Sequence, residues 1–253
     1  MLKELIEKYG KEKINTLTKY PSILTLHKLG DKGKLTNELT TPLENEKLYA
    51  TEKIDGANVR IVCLGNQYLV GSREFILHHS HDLYFDPALG VVEGLRTLDI
   101  RIPETDKLTV IYGEYYGGKV SSNSKWYGQD KIGFRVFDVV EFTDLSMLEL
   151  SVSELSRWRE RETEQGLVYG QNFLERTEME RKYPEFEFVP ILPFELGDCT
   201  HNTILENLRQ ILPTTKVALS TNATQKAEGL ILRNETRSKI VKLRFEDYER
   251  TLR

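Results

Sequence analysis

The 253-residue chain has room for one large domain or two small ones, and a folded chain of this length buries about 70% of its unfolded surface. Lys and Arg number 35 against 39 Asp and Glu, which gives a formal net charge of −4. This balance excludes a protein that binds nucleic acid through a high overall positive charge, although it permits a local basic groove.

The N-terminal half predicts one helix followed by short strands. Apolar and charged residues alternate at helical spacing over 2–9, and Gly10 is a plausible end of that helix. Pro and Gly residues interrupt 20–45, which indicates an irregular segment with short strands. The remaining predicted elements of this half are strand-like runs within 48–64 on either side of the turn dipeptide Asp55-Gly56, a strand at 68–70 and a helix within 84–98.

The C-terminal half alternates strands with helices. Ser151 and Glu154 form a capping-box pattern that opens a predicted amphipathic helix over 151–165. The other predicted elements are strands at 108–112, 132–142, 230–233 and 240–245 and a helix over 201–212. Because strands and helices do not follow a regular βαβ order, we predict an α+β domain with mixed, largely antiparallel sheets flanked by helices.

Neither cysteine chemistry nor targeting sequences direct the chain out of the cytoplasm. Cys63 and Cys199 cannot build a disulfide framework, and neither has a Cys or His at zinc-site spacing. The charged N-terminal segment lacks the apolar core of a signal peptide, and no apolar run reaches the ~20 residues of a membrane span. We therefore expect a cytoplasmic protein.

The segment Glu52-Lys53-Ile54-Asp55-Gly56 is the strongest chemical signal. A lysine at the end of a strand, beside a tight Asp-Gly turn, has its amine held in place. Such an amine acts as a nucleophile when nearby cations or burial lower its pKa. The same pattern is also common on surface hairpins, so the motif needs support from elsewhere in the chain.

Four further motifs follow in a definite order. Gly113-Glu114 places a carboxylate after an apolar strand, and Glu228-Gly229 opens another strand with a carboxylate. The run Phe134–Val139 is a predicted strand that carries two aromatic residues. Lys242 and Arg244 lie on one face of the last strand, because side chains in a strand repeat every two residues.

Together these motifs resemble the covalent lysine nucleotidyltransferases, a superfamily of ATP-dependent ligases and GTP-dependent mRNA capping enzymes. The resemblance covers residues 49–244 and is greatest to ATP-dependent RNA ligases of the phage type-2 kind. It implies the ligase adenylylation fold, which is related to ATP-grasp, as a single domain over 1–253. Asn58 and the segment Gly71-Ser72-Arg73 support it.

The resemblance also implies a reaction and a set of ligands. Lys53 would attack the α-phosphorus of ATP with Mg²⁺, or Mn²⁺ in its place, held by Glu228. The AMP would pass to a 5′-phosphate end of a polynucleotide, expected to be RNA, and a 3′-hydroxyl would displace it. The other implied contacts are Glu52 and Asn58 beside the lysine, Glu114 on the ribose hydroxyls, Phe134 and Ile231 on the two adenine faces, Arg73 on AMP or the 5′-phosphate, and Lys242 and Arg244 on the α-phosphate.

Several side chains have simpler interpretations. Arg233 stands where these ligases often have Lys, and we interpret it as a solvated strand residue. His78, His79, His81 and Asp82 could suggest a metal site, but we expect a solvated loop there. The Arg- and Glu-rich stretch 151–185 is predicted to form solvated helical surface.

Three alternative functions remain open at the level of sequence, and one of them, a GTP-using capping enzyme, would need a guanine-selective pocket. The core motifs are shared with DNA ligase adenylylation domains, and no position identifies a reader of the 2′-hydroxyl. A nucleotide-binding protein without catalysis is the third alternative, although the motif residues are intact. Because only nine residues follow Arg244, we expect no C-terminal OB-fold or helical domain, and a partner chain could then be needed to hold the polynucleotide.

Overall fold

The computed structural model describes residues 1–43, 47–79, 82–83, 90–160, 162–163, 166–167 and 171–253. Its helices are α1 (Leu2–Tyr9), α2 (Lys11–Leu17), α3 (Val91–Thr97), α4 (Val152–Arg159), α5 (Arg176–Lys182), α6 (His201–Ile211) and α7 (Phe245–Thr251). Helix α1 ends before Gly10 as predicted, and α2 follows at once. Helix α4 has the predicted Ser151–Glu154 capping box but ends earlier than 165.

The strands confirm the predicted α+β class. They are β1 (His27–Leu29), β2 (Leu35–Leu39), β3 (Tyr49–Lys53), β4 (Ala57–Gly65), β5 (Gln67–Ser72), β6 (Ile76–His79), β7 (Asp82–Leu83), β8 (Thr105–Gly117), β9 (Ile132–Phe142), β10 (Glu162–Thr163), β11 (Gly166–Leu167), β12 (Ile191–Leu192), β13 (Gly229–Arg233) and β14 (Ile240–Arg244). Two main sheets result, with orders β7-β6-β5-β4-β8-β9 and β12-β3-β13-β14. Their strand pairs are antiparallel.

The Asp55-Gly56 dipeptide links the two sheets and is not the tip of a hairpin. Strand β3 pairs with β12 and β13, whereas β4 pairs with β5 and β8. The Asp55 amide donates to the Tyr127 hydroxyl at 2.8 Å, and Asn123 Nδ2 donates to Asp55 Oδ2 at 2.6 Å. A Cβ on Gly56 would lie 2.3 Å from the Tyr115 carbonyl oxygen, so the crossing requires glycine here.

Apolar clusters fill both sides of the six-stranded sheet and the outer side of the four-stranded sheet. One cluster packs the six-stranded sheet against α3 and α5, and a second packs its other face against α1, α2 and α4. A third packs the four-stranded sheet against α6 and α7. The inner face of the four-stranded sheet is directed toward the six-stranded sheet, since Ile231 and Ile240 pack in the second cluster. The region between the two facing sheets is here called the cleft.

A β-bulge shapes the six-stranded side of this cleft. The register between β8 and β9 shifts between Tyr112 and Gly113: Tyr112 pairs with Asp138, and Gly113 with Val136. The unpaired residue is Phe137, and it packs on the same side of the sheet as Asp138. The regular alternation of side chains along a strand is therefore broken at one residue of β9.

Two expectations about polar segments are wrong. His78 and His79 lie in β6 and are buried, not in a solvated loop, because β6 is an inner strand of the sheet; His81 lies outside the described residues. The charged stretch 151–185 is not all solvated surface, since Arg159 and Arg176 are buried. Arg159 Nη1 donates to the Thr16 carbonyl and so ties α4 to α2.

Candidate active site

Four of the predicted site residues share the inner face of the four-stranded sheet. In the register of β3, β13 and β14, Gly229 lies opposite both Lys53 and Arg244, and Ile231 lies opposite Lys242. Because side chains alternate along a strand, Lys53, Ile231, Lys242 and Arg244 project into the cleft. The predicted pairing of the two cations on one face is borne out.

The opposing sheet supplies the polar side of the cleft. Asn58 of β4 pairs in register with Glu114 of β8, so their side chains are neighbours on one face. Arg73 directly follows β5, the next strand of the same sheet, and its side chain is exposed.

The Lys53 amine is held by a carboxylate. Lys53 Nζ donates to Glu228 Oε2 at 2.7 Å, and the two side chains are only 26% and 17% exposed. Burial raises the pKa of Glu228, although the charge of Lys53 opposes that shift. The motif lysine is thus fixed within the cleft and does not extend into bulk water.

Glu114 completes a group of acids around this amine. Burial above all, with a smaller contribution from the negative charges of Glu228 and Asp55, raises the pKa of Glu114 to about 8 against the opposing charge of Lys53. Of these acids Glu228 is in contact with Lys53, and the deeply buried Glu114 favours its neutral form near neutral pH.

Asn58 presents an unused hydrogen-bond acceptor. Its Oδ1 is buried and has no hydrogen-bond partner among the described residues. A buried polar oxygen without a partner costs free energy, so its presence beside Glu114 suits a bound ligand.

Lys242 and Arg244 of β14 place positive charge on the four-stranded side of the cleft. Burial, followed by the positive charges of Arg244, Lys53 and Arg73, lowers the pKa of Lys242. Arg244 Nε and Nη2 donate to Asp247 at 2.7 and 2.8 Å, which fixes the guanidinium. Cations concentrated in this way suit a ligand that carries phosphate groups.

Glu52 does not point into the cleft. It precedes Lys53 on β3, so its side chain projects to the opposite face and is 2% exposed. It accepts hydrogen bonds from the Thr215 hydroxyl and from the Lys216 amide at 2.7 Å. The Glu52 carboxylate therefore lies against the loop before β13 and holds the backbone of that loop in place.

Phe134 is a core residue and is not available to stack on a base. It pairs with Tyr115, lies on the sheet face opposite Glu114 and packs in the cluster with Phe186. The predicted adenine contact of Phe134 is therefore wrong: a Cβ on Gly113 would lie 2.4 Å from the Phe134 ring, which fills the space over that glycine.

The β-bulge brings Phe137 to the cleft side instead. Phe137 is partly exposed. It packs against the second apolar cluster, which also contacts α1, α2 and α4, and Ile231 of the four-stranded sheet packs against the same cluster. Tyr20 contacts its edge with ring centroids 5.0 Å apart. The sequence motif F-x-V-F-D contained this second aromatic, but only the register shift reveals which of the two faces the cleft.

Behind the cleft, Arg233 is buried and not solvated, because Asp138 pairs with it. Arg233 Nη1 donates to Asp138 Oδ1, and Arg237 Nε donates to Asp138 Oδ2 at 3.0 Å. The carboxylate also accepts a hydrogen bond from the Tyr20 hydroxyl. Sequence reasoning missed Asp138, Arg237 and Tyr20, since nothing in their spacing links three separate segments.

The donor set of the cleft fits a hard divalent cation of the Mg²⁺ or Mn²⁺ type. Such cations take carboxylate and amide oxygens, which Glu228 and Asn58 offer. In the described ranges, no preassembled group of three or more His, Cys, Asp or Glu side chains forms a metal site. In those ranges, too, no helix combines the length and apolar character needed to cross a membrane.

Comparison with known proteins gives a family match and structural matches. The family model described as RNA ligase matches residues 46–245. An RNA ligase mutant of Naegleria gruberi with ATP and Mn aligns with a TM-score of 0.50 and 17% identity over 92% of this chain and 62% of that one. The same organism's RNA ligase with pyrophosphate aligns at 17% identity and a TM-score of 0.47, covering 91% of this chain and 63% of that one.

The chain therefore spans less than two thirds of the length of these solved ligases. No curated protein sequence matches it significantly. The family match covers most of the chain and includes every cleft residue described above. The chain belongs to the RNA ligase family.

Proposed function

We propose that the chain is the single nucleotidyltransferase domain of an ATP-dependent RNA ligase that acts in the cytoplasm. The observation that carries this proposal is the Lys53 amine held at 2.7 Å from Glu228 in a cleft with cations on one side and acids on the other. A fixed amine beside a phosphate-binding face is what attack on an α-phosphorus requires.

In the first step, Lys53 Nζ gives up one proton to water and, as a neutral amine, bonds to the α-phosphorus of ATP. The bond from that phosphorus to the bridging oxygen breaks, pyrophosphate leaves with its electrons, and a second proton of the nitrogen passes to water. Lys242 and Arg244 stabilise the charge that builds up on the α-phosphate, because they share the face of Lys53.

The remaining cleft residues position the nucleotide. Phe137 and Ile231 approach from opposite sheets and hold the base between them, while Glu114 accepts from the ribose hydroxyls. Asn58 and Glu228 would hold the divalent cation, which would supply positive charge to offset that of the phosphates. Arg73, exposed at the rim, contacts the incoming 5′-phosphate.

Two exchanges follow on the polynucleotide. An oxygen of the 5′-phosphate attacks the phosphorus of lysyl-AMP, forming an adenylylated end and releasing the Lys53 amine. The 3′-hydroxyl oxygen then attacks the phosphorus of the 5′-phosphate, its proton passes to water, and AMP leaves with the electrons of the broken bond. RNA is the preferred polymer in this proposal, supported by the family match.

Labelling with α-³²P-ATP tests the first step. The protein is incubated with labelled ATP or GTP and Mg²⁺ and resolved on a denaturing gel. We expect label from ATP in the wild type and in Lys47→Ala, a control at a surface lysine, and none in Lys53→Ala. No label from either nucleotide would favour a binding protein without catalysis, and label from GTP would favour a capping enzyme.

Nicked duplexes test the polymer. Substrates that differ only in having RNA or DNA on the 3′-hydroxyl side separate an RNA ligase from a DNA ligase adenylylation domain. We expect faster sealing with RNA. Equal sealing of both, or a preference for DNA, contradicts the RNA assignment without affecting lysine adenylylation.

A further inference from the structure

Two loops interlock next to the catalytic lysine. The first covers residues 118–131, between β8 and β9, and the second covers 213–227, before β13. Backbone hydrogen bonds join them: Thr224 N–H to the Lys125 carbonyl at 2.9 Å, Gln225 N–H to Trp126 at 3.1 Å and Leu219 N–H to Tyr127 at 2.7 Å. The loops therefore form one layer.

This layer is strongly basic in an acidic protein. The two loops carry five lysines and one acidic residue, Asp130, although the chain as a whole has a net charge of −4. The lysines are Lys119, Lys125, Lys131, Lys216 and Lys226, here called the lysine surface.

The lysine surface is free to take a ligand. All five side chains are exposed, and none pairs with a carboxylate within 4.0 Å in the part of the chain that the structure describes. Elsewhere, Lys19, Lys28 and Lys182 form ion pairs with Glu side chains at 2.7–2.9 Å. Unbalanced charge gathered on one layer attracts a polyanion.

The same layer contacts the catalytic motif directly. Asn123 and Tyr127 of the first loop bond Asp55, two residues after Lys53. In the second loop, Lys226 lies two residues before Glu228, so their Cα atoms are at most about 7 Å apart. A strand bound on this layer would therefore lead to the amine.

An aromatic side chain accompanies the lysines. Trp126 lies between Lys125 and Tyr127 and is partly exposed. Lysines that follow a phosphate backbone, together with an aromatic ring on which a base can stack, are the elements of single-strand binding.

We propose that the lysine surface binds the phosphate backbone of the RNA strand whose end is joined, close to that end. This inference rests on the proposed function and assigns it a surface outside the nucleotide cleft. Pyrophosphate is the competing anion, but five lysines spread over two loops offer more charge than its two phosphates need, and its site would have to lie within the cleft.

Salt-dependent binding tests the proposal. The triple variant Lys125→Gln, Lys131→Gln, Lys226→Gln is compared with wild type for binding of a fluorescent single-stranded RNA with a 5′-phosphate, followed by anisotropy. Each lost phosphate contact reduces the slope of log K against log salt by ~0.7. We expect the slope to fall by about 2 and the affinity at low salt to fall at least tenfold.

Two variants control for charge and for folding. Lys3→Gln, Lys32→Gln, Lys34→Gln makes the same charge change on exposed lysines elsewhere and is expected to bind like wild type. Replacing the three surface lysines by Arg keeps the charge and is expected to restore binding. Labelling of Lys53 by ATP is expected to be unchanged in all three variants.

The outcomes separate this inference from the proposed function. Unchanged RNA affinity and slope in the Gln variant, with Lys53 still labelled, overturn the lysine surface alone. If the Gln variant binds RNA like wild type but needs a higher ATP concentration for labelling of Lys53, the RNA-binding role of the lysine surface is also overturned. That result would assign the lysines to pyrophosphate. Absence of label in the wild type overturns the proposed function itself.

Discussion

Asp138 of β9 and Arg233 of β13 form a buried ion pair that joins the two sheets behind the cleft. The two side chains are 1% and 4% exposed, and Arg237 donates to the same carboxylate. One acid thus compensates two buried guanidinium groups and sets how the Lys53 sheet lies against the Glu114 sheet.

Removal of this carboxylate is expected to destabilise the protein strongly. Asp138→Ala leaves Arg233 and Arg237 without their charge partner in the interior, which costs about 3–5 kcal/mol. Chemical denaturation followed by circular dichroism measures the change. Asp130→Ala, at an exposed acid, is the control and is expected to stay within about 0.5 kcal/mol of wild type; a similar loss in both variants contradicts the account.

Phe137, and not Phe134, is expected to hold the base. Phe137→Ala removes a stacking face worth about 1–3 kcal/mol, so the ATP concentration that half-saturates Lys53 labelling rises about 5- to 150-fold. Phe137→Tyr keeps the ring and is expected to remain near wild type. A titration of the labelling rate with ATP measures both.

Phe134→Leu serves as the opposite control. Because Phe134 fills the core over Gly113, its replacement is expected to lower stability while the ATP concentration dependence stays unchanged. The assignment of the base contact to Phe137 is contradicted if Phe134→Leu raises the ATP concentration that half-saturates Lys53 labelling and Phe137→Ala does not.

The difference between these two aromatics shows what the sequence could predict. Period-two alternation correctly placed Lys242 and Arg244 on one face, and it would place Phe134 with Asp138. The bulge opposite Tyr112 breaks that period, and it arises from pairing with a strand that is remote in sequence. Alternation within one strand holds no information about its partner's register.

The sequence pattern also did not predict where the chain passes from one sheet to the other. Asp55-Gly56 has the composition of a hairpin turn, and only the pairing of β3 with β13 shows that it joins separate sheets. The burial of Arg233 depends in the same way on Asp138, which lies on the other sheet. The chemistry-bearing residues could be named from the sequence, but their surroundings depend on long-range pairing.

Lys242 is expected to act on the rate of adenylylation more than on folding. Lys242→Met removes a cation from the face of Lys53, and loss of one such stabilising group slows the step about 10²- to 10³-fold. Lys242→Arg retains the charge and is expected to recover part of the rate. Single-turnover labelling at saturating ATP measures the effect, with Lys34→Met as the surface control; equal rates in Lys242→Met and Lys34→Met would refute this role.

Loss of the Glu52 side chain is expected to act at a distance from the nucleotide. Glu52→Gln weakens the bonds to Thr215 and the Lys216 amide, which hold the loop before β13. Hydrogen bonds to a charged group contribute about 1.5–3 kcal/mol. We expect a loss of stability within that range and faster proteolysis of the loop, with the ATP requirement changed little. An ATP requirement that rises as much as in Phe137→Ala would instead place Glu52 at the nucleotide.

His27 gives the fold a defined response to acid. It is buried, with Nδ1 3.0 Å from the Tyr248 hydroxyl and Nε2 2.8 Å from the Cys199 carbonyl. Burial lowers its pKa below 6.5, the bond to the Cys199 carbonyl opposes this, and nearby His201 lowers it further. Below pH 6.5, the unfolded chain therefore binds a proton at His27 more readily than the folded chain does.

The stability that His27 contributes is expected to be complete above pH 6.5 and to fall as the pH drops below that value. The slope from this one group is at most about 1.4 kcal/mol per pH unit. His27→Gln removes the titration, so its free energy of unfolding should decline less than that of wild type between pH 6.5 and 5. Parallel denaturant titrations across this range measure the difference, and identical slopes in the two proteins would show that His27 does not resist protonation.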